Sequence, residues 1–239
     1  IERSIPLISA NERLNTFKKI ISIAMEHDIL LVAGDLVELR FADYALIDEI
    51  NEQFKSLIDN GTKVLFLPGK SELCFNCECK FTVDDITTSY TLKNDHVVEL
   101  EKDIFIYGTA PCNLAKTSLS RKKDKGFHLG LFYGDFDPNA DDKVYHYSIC
   151  RNDIRNMNFD FYASGGTHRP RLFRLHDKVL GACSGSPEAC SIDETGERFV
   201  ISMTVDSSEL VFIKRIPVNT IVINEIALDC SSISSQEEL

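Results

Sequence analysis

The sequence lacks any apolar run of the roughly 18 residues that a bilayer-spanning helix needs, so it is read as having no membrane segment. It is also short of positive charge, with 26 Lys and Arg against 37 Asp and Glu and a formal net charge of −11. Domains that gain affinity by neutralising phosphates show the opposite balance. The bulk charge therefore argues weakly against DNA and leaves only two local basic clusters to consider. These are "SRKKDKG" (Arg121, Lys122, Lys123, Lys125), read as a solvated loop, and "THRPRLFR" (Arg169, Arg171, Arg174). Paired cysteine clusters are missing too. Of eight cysteines, only Cys74, Cys77 and Cys79 lie together, in "ELCFNCECKF", and the rest are scattered singly. That is not the two-cluster spacing of a structural zinc site. A chain of 239 residues with 44% hydrophobic content needs no disulfide staples, so free thiols and a cytoplasmic setting are expected. No internal repeat and no dividing linker is found. We expect one domain over residues 1–228 and a flexible tail over 229–239, where "SSISSQEEL" is too polar to pack. The chain begins at Ile1 rather than methionine, and an N-terminal strand of the domain is expected to be missing.

What is present is an α/β pattern. "ANERLNTFKKIISIAMEHD" places Leu14, Phe17, Ile20, Ile21 and Ala24 on one helical face, with Asn11 as the expected N-cap. "DILLVAGDL" is a continuous apolar run closed by Gly34, as in a buried parallel strand. A second amphipathic helix, "ADYALIDEINEQFKSLIDNG", ends at Gly61, and a second buried strand, "TKVLFLPG", follows. Helix, strand, helix, strand at this spacing implies right-handed crossovers and a parallel sheet. Further strands are expected in "DIFIYGTA", "FHLGLFYGDF", "NFDFYASGG", "RLFRLH" and "KVLGACS", with a short helix in "YSICRNDIRNM". "RFVISMTVD" and "ELVFIKRIPV" read as a closing antiparallel hairpin.

Four strand ends finish in glycine-bearing motifs: "AGDLVE" (33–38), "LPGKSE" (67–72), "LFYGDF" (131–136) and "SGGTHRP" (164–170). Strand-end loops are where α/β proteins keep their chemistry. In order, spacing and flanking strands these motifs resemble those of calcineurin-like metallophosphoesterases. The segment "CSGSPEACSIDETGERFVISMTVDSSELVFIKRIPV" is similar to the "PGSPE" region and closing hairpin of the SbcD-like DNA repair exonuclease branch. The resemblance covers nearly the whole chain and implies a four-layer α-β-β-α sandwich with mixed sheets. It also implies two divalent metals, manganese or another, that activate water and clamp a phosphate, and, as partners, a coiled-coil ATPase, DNA and a second copy of the chain.

Carried over residue by residue, that pattern is incomplete. Asp35 stands at the metal-bridging aspartate and His168 at the last histidine ligand. Lys70 replaces the ligand asparagine, Ser71 the general-acid histidine, Tyr133 a ligand histidine, and Gly166 another. No D-x-H precedes Asp35. A protonated lysine cannot ligate a cation, but its ammonium can neutralise a neighbouring carboxylate. The expectation is therefore a degenerate site in which Lys70 takes over from metal beside Asp35, Tyr133 hydrogen-bonds in the same cavity, and Arg169 supplies an anion rim. Two alternatives stand beside this structural or regulatory role. One is an active phosphoesterase or nuclease completed by an N-terminal D-x-H; the other is a non-catalytic nucleic-acid binder using Arg169, Arg171 and Arg174.

Overall fold

A computed structural model describes residues 9–73, 79–100, 103–111, 114, 117–141, 148–206 and 209–227. The chain is a mixed α/β protein. Helix α1 (Ala10–Ala24) leads into strand β1 (Ile29–Ala33), helix α2 (Tyr44–Asp59) and strand β2 (Lys63–Leu67). Strands β1 and β2 pair in parallel, and the short β3 (Tyr90–Thr91) extends them to three strands. A six-stranded sheet then runs β4-β5-β6-β7-β9-β8. Its members are β4 (His96–Leu100), β5 (Ile104–Gly108), β6 (Phe127–Tyr133), β7 (Phe161–Gly165), β8 (Arg171–Leu175) and β9 (Lys178–Cys183), with helix α3 (Arg151–Met157) between β6 and β7. The last strands, β10 (Phe199–Val205) and β11 (Leu210–Pro217), form the antiparallel hairpin.

Side-chain alternation along the strands explains how these pieces stack. In β2, Val64 and Phe66 face the helices, where Ile47, Ile50, Phe54 and Leu57 of α2 and Ile21 and Ala24 of α1 are buried. Leu65 and Leu67 point the other way and meet Leu129, Leu131 and Tyr133 of β6 and Phe161 of β7. Ile201, Met203 and Ile213 of the hairpin pack against this second core. On the far face of the larger sheet, Phe105, Tyr107, Phe132 and Tyr162 bury against Met157 of α3. Each fully buried side chain of this size contributes about 1.5–3 kcal/mol of hydrophobic stabilisation. The sheets approach closely at one point: a Cβ on Gly165 would sit 1.8 Å from the Ala33 carbonyl oxygen.

Some expectations are corrected. The N-cap of α1 is Ser9, not Asn11: Ser9 and Glu12 form a reciprocal capping box, with the Ser9 N–H donating to Glu12 Oε2 at 2.6 Å. Asn11 lies inside the first turn because that box positions the helix start earlier. The short edge strands β3 and β4 were not anticipated; their exposed positions break the apolar run that reveals a buried strand. The basic cluster at Arg121 is not a purely solvated loop. Arg121 Nη1 donates to both carboxylate oxygens of Asp160, at 2.9 and 3.0 Å, and fastens the β5–β6 connection to the start of β7. Cys74, Cys77 and the C-terminal "SSISSQEEL" lie outside the described residues, while Cys79, Cys150, Cys183 and Cys190 are free thiols. Among the described residues, no helix is long and apolar enough to cross a membrane.

Candidate functional site

The C-terminal ends of β1, β2, β6 and β7 bring the four glycine motifs together. Asp35 follows β1 with φ of 54°, and Gly34 before it has φ of 82°. This left-handed pair turns the chain sharply and aims the aspartate across the strand ends. Both Asp35 oxygens are engaged. Oδ2 accepts a hydrogen bond from the Tyr133 hydroxyl at 2.6 Å, and Oδ1 accepts one from the Ser71 backbone N–H at 2.9 Å. The Lys70 backbone N–H donates to the Tyr133 hydroxyl. Burial, and then the hydrogen bond to Asp35, push the Tyr133 phenol above its ordinary range, so it stays protonated and remains the donor.

The tyrosine ring occupies the centre of the cluster. A Cβ on Gly34 would meet its Cδ2 at 2.5 Å, one on Gly69 its Cε2 at 2.7 Å, and one on Gly166 its Cζ at 2.9 Å. Gly166 also has φ of 80°, so both backbone and ring favour glycine there.

Beneath this lies a residue that the sequence reading passed over. Glu72 is 3% exposed. Its Oε2 accepts from the backbone N–H of Asp35 at 3.0 Å and of Gly69 at 2.8 Å, and its Oε1 from the Val37 N–H at 2.9 Å. Burial raises the Glu72 carboxyl against the stabilising effect of these donors. Glu72 thus cross-links the first two motifs through their backbones. The signal was available: it is the acidic residue that ends the G-N-H-D/E pattern, here in "GKSE".

Above Tyr133 opens a cavity of about 660 Å³, lined among others by Lys70, Tyr133, Asp135, His168, Arg169 and Arg171. The three long cations and one imidazole outweigh one carboxylate, and Asp135 pairs with Arg171 at 3.5 Å. Such a lining suits an anion with several acceptor oxygens. Arg174 is not on this wall; its guanidinium donates to the Asp177 carbonyl at 3.3 Å.

His168 reaches the cavity but is partnered elsewhere. Its Nδ1 lies 2.7 Å from Glu194 Oε1, and Glu194 Oε2 is bound by the Arg198 guanidinium and by the Cys190 N–H at 3.1 Å. Burial works to raise the Glu194 carboxyl, but the Cys190 N–H, His168 and Arg198 together hold it below the usual carboxylate range. Neither Cys190 nor Glu194 was singled out from the sequence, because nothing in "ACSIDE" shows that it folds beside residue 168.

A manganese pair fits this donor set poorly. Lys70 and Gly166 offer no ligand, Tyr133 is a protonated phenol filling the space, and Asp35 spends both oxygens within the protein. Ser71 enters through its backbone, not as an acid. No protein-family model matches the chain, and no curated protein matches it.

Proposed function

We propose that the chain is a non-hydrolytic metallophosphoesterase-like protein of the SbcD-like branch, cytoplasmic, in which a phosphate-binding pocket outlives the metal chemistry. Its role is then structural or regulatory, in a DNA-repair-type complex with a coiled-coil ATPase. The order of the four motifs supports this reading. So does the layering of helices, small sheet, large sheet and α3, which agrees with a four-layer α-β-β-α sandwich. One observation carries the loss of hydrolysis: the Tyr133 ring sits among Gly34, Gly69 and Gly166 with its hydroxyl on Asp35. In-line attack needs a bridging carboxylate free to hold two cations, whereas both oxygens of this one already accept hydrogen bonds from the protein. The cationic wall of Lys70, Arg169 and Arg171 remains suited to a phosphate group.

Manganese titration by calorimetry, with hydrolysis of a bis-aryl phosphodiester measured alongside, tests the proposal. Wild type is expected to hydrolyse nothing above background, and Asp35→Asn to leave any manganese heat unchanged. Lys70→Asn, Ser71→His and Tyr133→His combined is expected to tighten manganese binding by on the order of ten-fold, as restored ligands and their supports do. Two tightly held manganese ions in wild type, lost in Asp35→Asn, would overturn it.

A further inference from the structure

The geometry points to a metal site apart from the Asp35 cluster: a zinc-type centre formed by His168, Cys190 and Glu194, with an open fourth position. One ligand atom from each of these residues lies within 4.8 Å of the others. This is not the paired-cation arrangement implied by the resemblance, which would join His168 to Asp35. A thiolate, an imidazole and a carboxylate make the donor set of borderline-soft Zn²⁺.

The loops that carry these ligands are held before any ion arrives. Ser186 N–H donates to the His168 carbonyl at 3.0 Å, tying the β7–β8 loop to the segment after β9. Four residues on, Cys190 is fixed by its neighbours: Glu188 is buried and accepts from the Thr16 hydroxyl at 2.5 Å and the Thr220 hydroxyl at 2.8 Å, and Ala189 is buried. The turn from Cys190 to Glu194 closes with the Glu194 N–H on the Ser191 carbonyl at 3.0 Å.

Orientation of the carboxylate is the stronger point. Arg198, whose side chain is 4% exposed, grips Glu194 Oε2 and leaves Oε1 turned toward His168. That is how outer partners aim a ligand oxygen in metal centres. The His168 side chain is 63% exposed, so a cation there is reachable and has room for a water or an anion as fourth ligand. Zinc bonds of about 2.3 Å to sulfur and 2.1 Å to nitrogen or oxygen put tetrahedral ligands roughly 3.3–3.6 Å apart. The Cys190 thiol leaves the Glu188 carbonyl, to which it donates at 3.8 Å, and the 2.7 Å Nδ1–Oε1 pair opens as the metal takes Nδ1, the hydrogen of the neutral ring moving to Nε2. Binding releases the thiol proton to solvent.

The test uses the full chain in a Cys74→Ser, Cys77→Ser, Cys79→Ser background, so that the cysteine-rich segment cannot contribute. Titration with zinc chloride against a chromophoric chelator is expected to give one ion per chain. Cobalt chloride in its place is expected to give the near-ultraviolet charge-transfer band of a thiolate ligand. Cys190→Ser should abolish that band, and His168→Ala should weaken zinc binding by at least about ten-fold; both side chains are exposed, so neither change threatens folding. Zinc stoichiometry and affinity unchanged in Cys190→Ser would overturn the assignment. So would a zinc loss caused by Asp35→Asn but not by His168→Ala, which would place the ion with the β1 carboxylate.

Discussion

Tyr133 and Asp35 meet across 98 positions of sequence through a 2.6 Å hydrogen bond from phenol to carboxylate. The bond joins the end of β6, in the large sheet, to the loop after β1, in the small one. It satisfies one oxygen of an aspartate whose backbone is in the left-handed region and whose other oxygen is held by Ser71. The same contact that joins the sheets also places a phenol donor on one of the two carboxylate oxygens.

Tyr133→Phe removes only the hydroxyl. Because Asp35 is exposed and water can replace the lost donor, a destabilisation of about 1 kcal/mol is expected. Urea unfolding measures it. A value indistinguishable from zero would mean that the bond contributes nothing to joining the sheets.

Glu72 has no such access to water. Glu72→Ala strands the N–H groups of Asp35, Val37 and Gly69, each previously bound to a buried carboxylate. A loss of about 3 kcal/mol or more is expected. Glu72→Gln keeps one acceptor oxygen but turns an amide toward a backbone donor, so it should fall between wild type and alanine. Equal stability of glutamine variant and wild type in chemical denaturation would remove the carboxylate from its assigned role.

Two glycines separate backbone strain from steric contact. Both Gly61 and Gly166 have positive φ, but a Cβ on Gly61 meets nothing within 4 Å, while one on Gly166 meets the Tyr133 ring at 2.9 Å. Gly61→Ala is expected to cost about 1 kcal/mol from backbone conformation alone. Gly166→Ala should cost more, up to about 3 kcal/mol. Thermal midpoints of the two variants give the comparison, and an equal drop would show that the ring yields freely.

His128 predicts an acid dependence. It is fully buried, with Nδ1 on the Tyr107 hydroxyl at 2.8 Å and Nε2 on the Lys125 carbonyl at 3.1 Å, which the neutral imidazole satisfies. Burial lowers its pKa below the ordinary 6.5. The unfolded chain therefore takes up this proton first, and stability from the neutral ring, complete above pH 6.5, is lost as pH falls toward the folded-state value. Wild type should lose stability on going from pH 7 to pH 5 more steeply than His128→Gln. Parallel slopes in the two proteins would exclude the histidine as their source.

Much of the architecture could be read in advance, because local signals were strong. Continuous apolar runs marked β1, β2 and β6, and the spacing of Ile47, Ile50, Phe54 and Leu57 marked the buried face of α2. The two edge strands escaped because β3 is only two residues long and β4 alternates exposed with buried positions over just five. At the site, Asp35, Lys70, Tyr133, Gly166, His168 and Arg169 were all legible as strand-end residues. Their roles were less so. Asp35 was expected to sit beside the Lys70 ammonium; what the sequence did not show is that Asp35 accepts from the Tyr133 hydroxyl and the Ser71 N–H, with the Lys70 N–H on Tyr133.

Sequence alone determined which strands end in glycine turns and which residues ride on them, because apolar period and turn chemistry act over a few neighbouring positions. It fixed the net charge and the lack of a long apolar span in the same way. Tertiary structure decided the pairings: Asp35 with Tyr133, Glu72 beneath three backbone donors, and His168 with a Glu194 that Arg198 also grips, beyond the last strand of the large sheet. Asp35 and Tyr133 are 98 positions apart, and His168 and Glu194 are 26 apart; only the stacking of the two sheets and the fold-back after β9 bring them within hydrogen-bonding reach.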